Sequence, residues 1–453
     1  MVAGVAAGCL LVGVTVVASA DTFDRASTTG PVVDGRACSV MCSDSPEDDT
    51  LRAGNADAWP TLQGALNAAL PGTEVAVPPG RFVLSHPLEV PSAVVLAGAG
   101  QGSTTLTAAA DAGANFRHEF LVGPAGGGQD GERRTVVRDL TLDGGHAGEA
   151  DLGVGGVRMG DGWLVNRVRL ANLGYFKVWL HEVDRVSIVN SVFADHGGAS
   201  GGEDNIGGGG ATGVVITGNT FEESARGNSI DLVRSTDVLI EGNTMSGTPQ
   251  QPHNVYLEGI VGAQVRGNQL AHSSIAVQSN ADYETHGAVV NSRDVVIEGN
   301  AITDAEAQGI SLRYDAPRLG QPGTVQSGAV GGGNSVVGNI VTRSGVAGIV
   351  VIAAAPGLVG EADAVSDNTV IDAFADGEDS WNCGYGITQA AGIVIGAGHG
   401  VHVQRNTVTD SGVGSARVGL AIGVRSGRGV KVSVIGAETT RVEGIERSVV
   451  VQS

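Results

Sequence analysis

Lysine is almost missing from this sequence: Lys177 and Lys431 are the only two in 453 residues. Acidic residues outnumber Lys and Arg 48 to 27, for a net charge of -21. Such a balance argues against nucleic acid or an anionic membrane as partner, because both need clustered positive charge. A polyanionic glycan would need a local cationic cleft or a bridging cation. Long apolar runs are also missing beyond the N-terminus, where none reaches the ~18 residues that span a bilayer. The N-terminal run MVAGVAAGCLLVGVTVVASA ends in Ala18-Ser19-Ala20, the small-x-small pattern of a cleavage site, without the usual basic start. Residues 1–20 are therefore expected to be a signal peptide, and the protein to be secreted and extracellular, with no membrane contact after cleavage. Cysteine is scarce. Cys9 reads as apolar filling, and Cys38, Cys42 and Cys383 would remain. In an oxidising compartment one pairing open to them joins Cys38 to Cys42 and leaves Cys383 single. A zinc site is disfavoured, since no histidine stands near the first pair.

Glycine, by contrast, is abundant: 72 residues, with no collagen period and too much Val and Ile for disorder. The chain must use it for turns. A length of 453 ordinarily divides into domains, but a solenoid grows by adding coils. Self-similar segments support the solenoid: VVITGNTFEES (214–224), VLIEGNTMSGT (238–248), AQVRGNQLAHS (263–273), VVIEGNAITDA (295–305), SVVGNIVTRS (335–344) and VHVQRNTVTDS (401–411). Each is a short β-branched run, an asparagine and a second short run. Asn166, Asn190, Asn219, Asn243, Asn268, Asn300, Asn339, Asn368 and Asn406 are spaced 24, 29, 24, 25, 32, 39, 29 and 38 apart, a basic coil of 24 with insertions. Asparagine tolerates the left-handed conformation of a sharp bend and bonds neighbouring backbone, so all nine are expected in one structural ladder.

A second regularity places another strand. Ile206, Ile230, Val255 and Ile393 each lie 13 residues before Asn219, Asn243, Asn268 and Asn406. The expected fold is all-β, a right-handed parallel β-helix over residues 57–453, after an N-terminal extension at 21–56. An amphipathic helix at about 60–70 would cap its open end. That order of helix, PGTEVAVPPGRFVL, LEVPSAVVLAGAG and Asn-punctuated coils resembles the pectate-lyase-like right-handed β-helix proteins. The resemblance implies the fold and does not choose a reaction among lyases, hydrolases, epimerases, phage tailspikes and inert solenoids. Of the polygalacturonase-like motifs only Gly398-His399-Gly400 is present, at an expected turn between strands, and the Trp-Ile-Asp-His and Arg-x-x-Pro-x-x-Arg patterns of pectate lyases are missing.

Alternation about the inward positions Val157, Val178, Ile206, Ile230, Val255, Ile275, Ile310, Ile349 and Ile393 predicts which residues face out. One outward column is Arg158, Trp179, Gly207, Asp231, Tyr256, Ala276, Ser311, Val350 and Val394. A second is Gly160, His181, Gly209, Val233, Glu258, Gln278, Arg313, Ile352 and Gly396. Lys177, Asn205, Ser229, Asn254 and Ser274 lie just before the strands. Aromatic and titratable groups concentrate between 158 and 313, so the site is expected there. Asp231, Glu258, His181 and Tyr256 are the candidate catalytic residues; Arg158, Lys177, Trp179, Asn254 and Arg313 are the candidate substrate-binding ones. Trp179 and Tyr256 offer flat faces to sugar rings. Asp231 and Glu258 lie about 8 Å apart in backbone terms, in the range of an inverting glycosidase pair. Elimination from a uronate would instead draw on Arg158, Lys177 and Arg313 to quiet the carboxylate, and on Tyr256, His181 or His253 as base. The expected function is action on a polysaccharide, by a lyase or a glycoside hydrolase; the alternative is a non-catalytic surface or glycan-binding solenoid. Glu203-Asp204-Asn205 is a weaker candidate, for calcium. The outward apolar residues Val350, Ile352 and Val394 should be covered, with the insertion 375–390, carrying Trp381 and Tyr385, as the expected cover.

Overall fold

The computed structural model describes residues 53–451 apart from 111–112, 117–118, 128–133, 146–152, 195–203, 223–226, 248–253, 281–289, 315–331, 354–361, 375–390, 413–415, 423–431 and 446. The expectations for residues 1–20, the three cysteines, Glu203, His253 and the segment 375–390 fall outside the described residues.

The chain climbs in coils of three short strands. Ile206–Gly209, Thr212–Thr217 and Thr220–Glu222 make one coil, and Ile230–Val233, Thr236–Glu241 and Thr244–Ser246 make the next. Each strand pairs in parallel with its equivalent one coil on, as in Ile206 with Ile230 and Ile230 with Val255. A parallel pair needs a long return connection, and here the other two strands of the coil supply it. Among the described residues the one antiparallel pairing is an isolated bridge between Asn280 and Val290.

The inward positions read from the sequence stack one over another from Val157 to Ile393. All nine are fully buried in one continuous core. The helix, Trp59–Ala68, buries Leu62 and Leu66 over the first coil. Its Gln63 closes the exposed strand edge: the side-chain oxygen accepts from Glu89 N at 2.9 Å and Nε2 donates to Glu89 O at 3.0 Å. One amide thus replaces the missing strand partner at that residue. A strand at Gly54–Asp57 also pairs with Gly80–Leu84, within the stretch expected to be extension.

The asparagine ladder runs from Asn219 to Asn406. Asn268 shows the pattern: its Oδ1 accepts from the backbone N and Nδ2 of Asn243 at 2.9 and 3.0 Å, and its own Nδ2 donates to Ile240 O at 3.0 Å and Asn300 Oδ1 at 2.9 Å. Asn166 and Asn190 do not belong to it. Ser191 holds the rung below Asn219, its backbone N donating to Asn219 Oδ1 at 2.9 Å. The left-handed residue is also not the ladder asparagine but the one before it: Gly218, Gly242, Gly267, Gly299 and Gly338 at φ 61–64°, with Asn190 itself at 51°. Glycine takes this bend without a Cβ penalty at five corners, Asp367 and Arg405 take it at 58° and 51° before the last two rungs, and in each case the next residue supplies the hydrogen bonds.

Two further expectations change. Gly398-His399-Gly400 lies inside one continuous strand, Ala391–Gln404, rather than in a turn. A register shift in the same strand places Ala397, not Gly396, beside Ile352. Val350, Ile352 and Val394 are fully covered, and with Ala391, Val418 and Ala421 they form a second apolar cluster against which Phe374 packs.

Candidate functional site on the face of the middle coils

Strand pairing lines up Arg158, Trp179, Gly207, Asp231, Tyr256, Ala276 and Ser311 in one outward column. His181, Gly209, Val233, Glu258, Gln278 and Arg313 form the next. Arg158 and His181 are exposed; Trp179, Asp231, Tyr256 and Glu258 are part-buried, and Arg313 is buried, its guanidinium donating to Gln308 Oε1 at 2.9 Å.

Asp231 is the most perturbed carboxyl of this face. Burial pushes it up to about 8, repulsion from Asp204 and Glu258 adds to this, and a hydrogen bond from Asn228 Nδ2 at 3.0 Å opposes it. It therefore holds its proton at neutral pH. Glu258 accepts from two amides: Gln278 Nε2 donates to Oε1 at 2.7 Å and Asn280 Nδ2 to Oε2 at 2.9 Å. The Tyr256 hydroxyl hydrogen-bonds to Glu258 as well, and burial together with the charges of Glu258 and Asp231 pushes this phenol above its usual range. Tyr256 is thus a neutral donor and a poor base, which weakens its role in elimination.

Below Asp231 the face is aromatic. Tyr175 packs edge-on to Phe176 at 4.9 Å, Phe176 lies 4.4 Å from Trp179, and Trp179 and His181 stack at 5.8 Å. Gly207 makes this possible: a Cβ there would stand 2.5 Å from the Phe176 ring and 3.5 Å from Asp204 Oδ2. Gly207→Ala is accordingly expected to destabilise the fold by about 1–3 kcal/mol through overpacking, read as a lower urea midpoint with unchanged slope.

Lys177 does not join the face, and Asn254 is part-buried and turned to Ser274 of the next coil. Lys177, Asn205 and Ser229 are completely buried. In later coils Gly309, Gly348 and Gly392 hold the same position, where a Cβ would meet a core valine methyl at 2.3–2.4 Å. The backbone bends at this position, so Lys177, Asn205 and Ser229 point inward, while Asn254 and Ser274 remain part-buried. Lys177 Nζ donates to Asn205 Oδ1 at 2.7 Å, and Asn254 Oδ1 accepts from Ser274 N and Oγ at 3.1 and 2.8 Å. The calcium expectation fails at Asn205 for the same reason, because its carbonyl oxygen already faces an ammonium group, which repels a cation. Among the described residues no group of three His, Cys, Asp or Glu side chains is arranged to hold a metal.

Reading columns alone missed Phe176, Asn228, Arg234 and Asn280, and weighed Asp204 only for calcium. Phe176 had a signal, lying in the aromatic run Tyr175-Phe176 just before Trp179. The others lie at corners beyond the strands, where alternation says nothing.

Among solved structures, the A-module of mannuronan C-5 epimerase AlgE4 from Azotobacter vinelandii is similar, with TM-score 0.54 and 16% identity over 88% of this chain and 95% of that one. The catalytic domain of a GH87 alpha-1,3-glucanase in complex with nigerose gives 0.55 and 13% over 89% and 70%. The N-terminal fragment of bacteriophage phi29 gene product 12 gives 0.53 and 15% over 88% and 70%. No curated protein sequence matches the chain. At such identities the likeness is one of fold. Residues 204–408 match the family described as right handed beta helix region, and the stacked parallel coils around one core give the chain the fold of a right-handed parallel β-helix.

Proposed function

We propose that this chain hydrolyses glycosidic bonds of a neutral polysaccharide, with Asp231 as general acid and Glu258 as general base. The observation that carries the reading is the division of labour between two neighbouring carboxyls: Asp231 is held protonated at neutral pH beside Asp204 and Glu258, while Glu258 accepts from two amides. A carboxyl that keeps its proton beside a second one that accepts hydrogen bonds is an arrangement acid–base hydrolysis can use. Asp231 pairs with Tyr256, and Glu258 lies two residues further along that strand. The backbones are therefore about 8 Å apart, which suits a water between the carboxyls and an inverting reaction.

The aromatic row ending in Trp179 and His181 supports sugar stacking beside the acids. Three carboxyls on the face, and Lys177 withdrawn into the core, disfavour a polyuronate. Two of the similar folds, a glucanase and a mannuronan epimerase by their names, act on polysaccharides, which accords with a glycan on this face. In this reading residues 1–20 export the chain to an extracellular substrate.

Purified protein is screened against neutral glucans and polyuronates, following reducing ends and the ultraviolet absorbance of unsaturated products in parallel. The expected result is reducing ends from a neutral polymer without absorbance gain, with the freed anomeric centre inverted by proton NMR. Absorbance gain on a polyuronate would replace hydrolysis by elimination. Binding without any product would favour the non-catalytic solenoid.

A further inference from the structure

We infer that Arg234 and Asn280 are positioning residues for Glu258, Arg234 fixing the Asn280 amide so that its NH2 group faces the carboxylate. The inference rests on the role proposed above for Glu258. Arg234 Nε donates to Asn280 Oδ1 at 2.6 Å, and Asn280 Nδ2 donates to Glu258 Oε2 at 2.9 Å. Because a guanidinium can only donate, it forces the carbonyl end of the amide toward itself and the donor end toward Glu258. A flipped amide would set two donors against each other and two acceptors against each other.

The backbone around this pair is shaped for it. Arg234 adopts φ 48°, at a corner where the coils directly below and above have Gly210 at 69° and Gly259 at 62°. Arg167, Arg185, Arg343 and Arg405 take the same left-handed conformation elsewhere in the chain, and Arg234 differs in the bond it makes to Asn280. Gly259 in turn admits Asn280: a Cβ at Gly259 would stand 3.0 Å from Asn280 Cβ and 3.1 Å from Val290 O. Asn280 is itself pinned by a two-way backbone bridge with Val290, at 2.8 and 2.9 Å.

The charged and titratable groups around Glu258 are Tyr256 on its own strand, Asp231 on the coil below, Arg313 on the coil above beyond Gln278, and Arg234 through Asn280. Protein labelled with 13C at the Glu side-chain carboxyl is titrated by NMR, with the Glu258 signal assigned by Glu258→Gln. Asn280→Asp is expected to set a carboxylate against Oε2 and move the Glu258 midpoint up by at least one pH unit, while Asn280→Ala and Arg234→Gln broaden or shift the signal less. On the proposed substrate, Asn280→Ala should lower kcat about 10- to 100-fold, the effect of one hydrogen bond to a charged group, with KM changed less than about twofold. An identical Glu258 titration in wild type and Asn280→Asp would overturn the positioning role whether or not the protein cleaves a glycan. A shifted midpoint in a protein that cleaves nothing would keep the pair and reject the hydrolase.

Discussion

Asp231→Asn should abolish most hydrolysis and yet give a more stable protein. Loss of the general acid lowers kcat by about 10²–10⁴-fold. In the wild type, activity should fall as pH rises through about 8, where Asp231 loses its proton. The same shift sets the sign of the stability change. Asp231 is raised in the folded state from 3.8 to about 8, so its favourable contribution is complete below pH ~4 and is lost as pH climbs through the folded value. Above that value the fold holds a part-buried negative charge beside Asp204 and Glu258. An asparagine removes that charge and keeps an oxygen to accept from Asn228. The variant should therefore gain at least ~2 kcal/mol over wild type at pH 8–9 and little at pH 4. Thermal or urea unfolding across this range checks it, and equal stability of the two proteins at both pH values would remove Asp231 from the role assigned. A site that gives up stability for function behaves in this way.

Asn268→Ala should be among the most damaging single changes in the chain. Truncation removes four buried hydrogen bonds, those from the backbone N and Nδ2 of Asn243 and those to Ile240 O and Asn300 Oδ1; Asn300 Oδ1 keeps the backbone N of residue 268 and Asn243 Nδ2 keeps Ile216 O. At about 1 kcal/mol for each lost hydrogen bond, and more where the Asn243 backbone N is left unpaired, a loss of about 3–5 kcal/mol is expected, read from the denaturant midpoint. Asn190 provides the contrast. It is exposed, at φ 51°, so Asn190→Gly should change stability by less than ~1 kcal/mol. Equal losses at the two positions would mean that the ladder is not what holds the coils together.

The sequence by itself determined the coil. Side chains alternate strictly along a strand, so a constant 13-residue offset from Ile206 to Asn219 and from Ile230 to Asn243 fixed the inward column and, with it, that Trp179, Asp231, Tyr256, Glu258 and Arg313 share a face. Only the tertiary structure decided the corners. Whether Asn190 or Ser191 meets Asn219 depends on a one-residue choice of where the backbone turns left-handed, and local propensity does not separate those two. For the same reason Lys177, one residue before a strand, went inward, although alternation placed it outside. The partners of Glu258 come from Gln278 and Asn280, 20 and 22 residues on, and Asp231 is perturbed by Asp204 from the coil beneath. Such contacts are set by stacking coils whose turns differ in length, and burial by neighbouring coils, not the residue type, decides which of several carboxylic acids keeps its proton.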